Sequence, residues 1–544
     1  MSVTDEFRAL ADRIVDDLLE ADPVSATWLG DHRFDGRLPD LSAAGVSAQL
    51  RAIDDHITAL DAVDDVELDV EDLVDLEILR ARLLRSQFEL GEVRRQEWDP
   101  MVWNPGTALH LLVSRDFAPA EERGASLRAR LTSIPDVLLA ARDQLHEMSE
   151  IHVETAIAQL HGTRALIDGD ARALAGDDAI VDSAMAEVEA FSEWLQERLM
   201  HATRSPRLGA RLYAGALWHA LDDPIAADEL MADAQMHLAV VGEQLEVAAR
   251  AYLGSAAPEE GADAIREALA DVAAAYPVTD ATVLPLMQQA IDGATAFIRS
   301  HDLVTVPDVE TRLIDMPAIH RGVAVAYCDA PGPLEEASVA TYVAVAPTPD
   351  GWDTDRVASF YREYNGMQLH DLAIHEAMPG HVLQLAHAQR LDSPTRVRRF
   401  GRSGVFIEGW AVYTEEMMVD RGYAPSGDRS ALALRLQQLK MQARMTINTI
   451  LDVGVHAHDL PEHEAMWMMR DLGHQEEGEA VGKWRRALLT AAQLPTYYAG
   501  YRAMSGIAGD LRVMHGEWTD RQVHDLMLAH GSPAPRHLRT LLGI

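Results

Sequence analysis

His375, Glu376 and His381, within "AIHEAMPGHVLQLAHA" (373–388), are residue types that bind divalent metals and move protons. The familiar zinc arrangement H-E-x-x-H sets two histidines four apart on one helical face, with a glutamate beside the first. Here the second histidine comes six residues after the first. On a straight helix that spacing leaves the two side chains about 240° apart and about 9 Å along the axis. Both imidazoles could not then reach one zinc ion at about 2.0–2.1 Å. The inserted stretch, however, contains Pro379 and Gly380. Proline lacks the N–H that the His375 carbonyl would accept and clashes with that turn, and glycine tolerates the dihedrals of a bulge. The pair predicts an interrupted helix that returns His381 to the face of His375.

A hydrolytic zinc needs a third protein ligand and an open position for water. "FIEGWAVYTEEMM" (406–418) begins a second helical pattern, in which Glu408, Ala411, Val412 and Glu415 share a face. Glu408, 27 residues after His381, is the first choice for that ligand, with Glu415 as the alternative. In the preferred assignment Glu415 orients a ligating histidine, as does Asp371, four residues before His375. A second "HEAM" starts at His463 but has Trp467 where a histidine would be needed, and reads as helix surface.

These residues need helices to carry them. Amphipathic patterns run over 5–21, 42–64, 67–95, 119–147, 150–167, 178–202, 226–253 and 260–275. "DPVSATWLGDHRFDGRLPDLS" (22–42) reads as a turn-rich connector. Near residue 301 the texture changes. "HDLVTVPDVETRLIDMP", "GVAVAYCDAPG" and "SVATYVAVAPTPDGW" are short, β-branched and bounded by proline and glycine, which predicts a small sheet at about 305–346. Its "ATYVAVAP" segment reads as an ordinary buried strand, or as one to which an extended peptide could add. Helices return from about 352. The expected fold is mainly α and two-lobed, with a helical N-terminal lobe at 1–300 and a catalytic lobe at 301–544.

The chain has 544 residues and a formal charge of −40. Such acidity opposes sequence-independent nucleic-acid binding and anionic membrane surfaces, both of which need clustered Lys and Arg. One cysteine, Cys328, excludes an intramolecular disulfide framework. The N-terminus lacks the basic and apolar regions of a signal peptide. No apolar run reaches the length of about 18 residues that a membrane span requires. The expectation is a soluble cytoplasmic protein, monomer or homodimer, with no nucleic-acid or membrane partner.

"HEAMPGHVLQ" (375–384) followed by "EGWAVYTEE" (408–416) resembles the bacterial family called domain of unknown function 885, whose pattern is H-E-x-x-P-G-H, then E-G-W-A-x-Y-x-E. Residues 21–42 are similar to its N-terminal segment. "ILDVGVHAHDL" (450–460) resembles its D-x-G-x-H stretch and carries Asp452 and His456. "PTYYAGYR" (495–502) resembles its Y-x-x-G stretch, aligning Tyr497 with Gly500, although the P-G-Q expected before the tyrosine is replaced by "AQLPTYY". The resemblance implies a gluzincin-like, mostly helical metallopeptidase with a small sheet and a deep central channel. It implies one Zn²⁺ per chain, held by His375, His381 and Glu408, with Glu376 as general base. Tyr497, Tyr498 or His456 would donate to the oxyanion. Short peptides are the expected substrates; the alternatives are a small-metabolite amide hydrolase or a non-catalytic helical binding protein. Arg396, Arg398, Arg399, Arg402, Arg444 and Arg502 are candidates to grip a substrate carboxylate, although most arginines in so acidic a chain pair at the surface.

Overall fold

The computed structural model describes residues 2–316, 325–337, 339–349 and 351–544. It is mainly helical with one three-stranded sheet. The chain divides into two compact units. The first comprises Met1–Pro206, Pro331–Ala340 and Asp392–Gly401; the second comprises Arg207–Ala330, Thr341–Leu391 and Arg402–Ile544.

In the first unit three helices, Ala120–Gln144, Glu150–Leu166 and Asp178–Leu199, pack around one core. Leu127, Leu131, Ile134, Leu138 and Ala141 recur at alternating four- and three-residue steps, as do Val181, Ala184, Val188, Phe191 and Leu195. That spacing keeps one apolar stripe turned inward, and each fully buried Leu or Phe contributes about 1.5–3 kcal/mol. The segment 392–401 is held by Arg398, buried against Asp75 (2.9 Å) and Glu71 of the helix Val70–Phe88. The stretch at 22–42 is less irregular than its composition suggests. Asp22 caps a short helix, Pro23–Leu29, which ends at Gly30 in the left-handed region, φ +89°.

The second unit is built on the helix Ser430–Ala457, which is buried around nearly its whole circumference, as a central helix must be. The helices packed against it include Ala227–Leu253, Gly366–Glu376, Gly404–Asp420 and Pro495–Met514. The last two approach at two glycines. A Cβ on Gly409 would lie 2.3 Å from the carbonyl carbon of Gly500, and one on Gly500 would lie 2.2 Å from the carbonyl oxygen of Val405. Only glycine at both positions allows that approach, which sets the Glu408 and Tyr497 turns beside each other.

The sheet has strands β1 (Thr311–Asp315), β2 (Ala326–Asp329) and β3 (Thr341–Val345) in the order β1-β3-β2. β1 runs parallel to β3, and β2 antiparallel to it. β3 is therefore central, and strand addition to "ATYVAVAP" is excluded because both of its edges are already paired. Residues 322–324 of the "GVAVAYCDAPG" stretch lie outside the described residues.

The division of the chain differs from a break near residue 300. Helices Ala227–Leu253, Gly261–Ala275 and Val283–His301 pack on the helices that carry or support His375. The change of texture at 301 marks a switch from helix to strand inside one unit, because composition reports local periodicity and not packing partners.

Candidate active site

The His375 helix begins where Asn365 Oδ1 accepts the N–H groups of Met367 and Gln368. It ends with Glu376, and Ala377 leaves helical geometry at φ −122°, ψ −82°. Gly380 then passes the helix end so closely that a Cβ would stand 1.8 Å from the His375 carbonyl oxygen. Its N–H donates to the Ile374 carbonyl at 2.9 Å. The helix resumes at His381 and runs to Ala388. Trp410 Nε1–H donates to the Pro379 carbonyl at 2.8 Å. The bulge is thereby fastened to the helix that carries Glu408.

These constraints converge three donor atoms. The His375 and His381 rings meet edge to face with centres 4.8 Å apart. Glu408 Oε2 lies 3.5 Å from His375 Nε2 and 3.6 Å from His381 Nε2. Donor atoms placed tetrahedrally around zinc at about 2.0–2.1 Å stand about 3.4 Å apart, so the spacing fits. The chemistry fits too. Glu408 Oε2 is buried with no hydrogen-bond partner among the described residues, a costly state that a cation would relieve. Burial opposes the charge on Glu408, but the neighbouring imidazoles outweigh it and hold the carboxyl far below the usual range.

The carboxylates behind the ligands separate by role. Glu415 Oε1 lies 2.6 Å from His375 Nδ1. With Nδ1–H given to Glu415, the Nε2 lone pair faces Glu408. Asp371 is buried one layer further back, accepting from Gln368 Nε2 at 3.3 Å. Burial and the nearby charge of Glu415 push its pKa well up. The hydrogen bond to the His375 ring belongs to Glu415, whereas Asp371 is bonded to Gln368. Glu376 Oε2 accepts the Cys328 N–H of β2 at 3.0 Å, and burial raises its pKa above the ordinary value. Four carboxyl groups, Glu376, Glu408, Glu415 and Asp371, thus gather around two imidazoles, and Glu408, the one held firmly ionised, faces both rings, a setting that suits a divalent cation.

The tyrosines diverge. Tyr497 senses Glu408 and His375 electrostatically, and its hydroxyl lies 3.5 Å from Arg486 Nη2. Tyr498 is turned away, donating to Asp233 at 2.6 Å. His456 is a correction. Its Nδ1 accepts from the Leu208 N–H at 3.3 Å, and its Nε2 contacts the carbonyls of Ala487 (2.8 Å) and Thr490 (2.9 Å). Both nitrogens are engaged by backbone, so the ring has no N–H to offer an oxyanion. It braces helix ends and stacks on Tyr213. Asp452 serves the same junction by accepting from the Ala492 N–H at 2.9 Å.

Most of the candidate arginines are paired. Arg396 bonds Asp12 and Asp16; Arg398 bonds Asp75 and Glu71; Arg444 bonds Glu363 and Glu479; Arg502 faces Asp233. His463 of the second "HEAM" is exposed on the surface, as its sequence suggests. Sequence reasoning did not assign Cys328 N–H, the Trp410 fastening, the Gly409–Gly500 contact or Arg486. The tryptophan and both glycines lay inside the motifs, whereas Arg486 lies in none.

The model of the family described as "Bacterial protein of unknown function (DUF885)" matches residues 23–542. Among solved structures, a candidate lipoprotein of unknown function from Shewanella oneidensis is 26% identical with a TM-score of 0.82, covering 99% of this chain and 100% of that one. A candidate lipoprotein from Colwellia psychrerythraea is 15% identical with a TM-score of 0.80, covering 100% and 99%. Metallocarboxypeptidase 1 of Trypanosoma cruzi is 12% identical with a TM-score of 0.41, covering 100% and 96%. No curated protein matches the chain. The lipoprotein names of the first two overturn the expectation of a cytoplasmic protein. No helix among the described residues is long and apolar enough to cross a membrane, but a lipid anchor needs no such helix. With the match spanning nearly all its length, the chain belongs to the DUF885 family of bacterial proteins.

Proposed function

We propose that this protein is a zinc-dependent hydrolase of peptide bonds in short peptides, with a gluzincin-like site. The observation that carries the reading is the convergence of His375 Nε2, His381 Nε2 and Glu408 Oε2 on one point, with Glu376 alongside. Bound there, zinc would polarise the scissile carbonyl and acidify water.

The chain's own groups supply the rest. Glu376, its pKa raised by burial, takes a proton from the attacking water and passes it to the leaving amine. The Cys328 N–H holds that carboxylate in place through Oε2. Glu415 keeps the His375 ring in the tautomer and orientation that a ligand needs. Tyr497 is the hydroxyl donor for the developing oxyanion, since Tyr498 is committed to Asp233. The test is turnover of an oligopeptide library by zinc-loaded protein. Cleavage that disappears with chelation and in Glu376→Gln supports the reading, and an inert zinc-loaded protein refutes it.

A further inference from the structure

The helix Glu477–Leu489 carries Lys483 and Arg486, three residues apart and so on one face. Arg486 Nη2 donates to Gln493 Oε1 at 2.6 Å and lies 3.5 Å from the Tyr497 hydroxyl. Both cations are partly buried, and among the described residues neither is ion-paired with a carboxylate. Their neighbours differ. Lys440 and Arg444 bond Glu363, Arg444 also bonds Glu479, and Arg362 bonds Glu476. Glu479, which acts on both cations at a distance, is already engaged by Arg444 and by the Tyr364 hydroxyl, and Glu408, which also acts on Arg486, belongs to the metal-ligand cluster. Positive charge is crowded here: burial and the guanidiniums of Arg444 and Arg486 push the Lys483 pKa down to about 7.

A partly buried guanidinium with carboxylates only at a distance and none in direct contact is costly. In a chain with 87 acidic residues, a carboxylate could readily have been supplied. The direct contact left open at Arg486 suits an anion that arrives with the ligand. Tyr497 links the cations to the metal-ligand cluster, and every unmodified peptide carries one anion of suitable shape, its C-terminal carboxylate. Guanidinium forks match that group.

We infer that Arg486, with Lys483 beside it, anchors the free C-terminal carboxylate of the substrate, so that cleavage falls near the C-terminus of a short peptide. The inference rests on the peptidase reading and deepens it. It also places the specificity-determining cation outside every arginine the sequence motifs single out.

The test uses equilibrium dialysis of full-length, zinc-loaded Glu376→Gln protein against a library of acetylated tripeptides, made once with free carboxylates and once as C-terminal amides. The acid forms are expected to be retained about tenfold or more over the amides. Arg486→Met should abolish the difference, and Arg486→Lys should restore part of it. Equal retention of acids and amides by the protein with Arg486 intact overturns the anchor, as does a preference that survives Arg486→Met. A companion digest with Glu376 intact separates the two ideas. Cleavage of both forms without preference removes the anchor and keeps the peptidase. Cleavage of neither form removes the peptidase.

Discussion

Glu376 and Glu415 sit 39 residues apart in sequence, yet each holds its place through one short contact: Glu376 with the Cys328 N–H, Glu415 with His375 Nδ1. Their roles predict different failures. Glu376→Gln keeps the three ligating side chains and removes the proton acceptor, so zinc content should be unchanged while kcat falls by about 10²–10⁴-fold. Glu415→Gln leaves the ligands present but weakens the carboxylate that fixes the His375 ring. Zinc affinity, measured by competition with a chelator, should fall about 10–100-fold. At this scale the ligand types and the bulge were legible, because Pro379 and Gly380 act through backbone constraints that sequence alone determines. The choice between Glu408 and Glu415 was open, since both share a helical face and only the approach of the His375 ring separates them. His456 misled because a histidine motif does not reveal that backbone carbonyls cap its ring.

The elements position the site through close contacts that leave no room for a methyl group. Gly409→Ala would thrust a Cβ to 2.3 Å from the Gly500 carbonyl carbon. The helices Gly404–Asp420 and Pro495–Met514 must then separate. The expected cost is about 1–3 kcal/mol of stability, read by chemical denaturation, together with weaker zinc retention as Glu408 moves from the imidazoles. Unchanged stability and zinc content would show that the helices have slack. Long amphipathic helices were legible because their apolar stripes repeat over many turns, as in Ala120–Gln144 and Ala227–Leu253. The helices Ala210–Leu221 and Val283–His301 escaped notice. The first is short, and the second runs directly into the β-branched segment. β3 was recognisable as a strand, but its central place required its pairing with β1 and β2.

At the scale of the whole molecule, charge sets how stability responds to pH. In the first unit His32 bonds Asp35 (2.9 Å) and Glu335 (3.0 Å). Burial lowers its pKa, but the two carboxylates outweigh burial and raise it to about 9. A raised histidine stabilises the fold fully below its unfolded pKa of about 6.5, and the benefit is lost as pH rises through about 9. The gap in Tm between the parent and His32→Gln should therefore be largest near pH 6 and close by about pH 10. A gap constant over that range would remove the ion pairs from the account. The acidic composition was legible and accords with a site ringed by carboxylates, but the division into units was not, because segments 331–340 and 392–401 join the first unit from far along the chain. Location was misjudged because freedom from apolar spans says nothing of lipid attachment. The central claim is a zinc centre built from His375, His381 and Glu408, and zinc-edge X-ray absorption on the dialysed protein tests it most directly. The account predicts about one zinc per chain with two imidazole nitrogens and light oxygen donors at about 2.0–2.1 Å, lost in His381→Ala. Protein that sheds zinc on dialysis, or holds it without imidazole ligands, would contradict it.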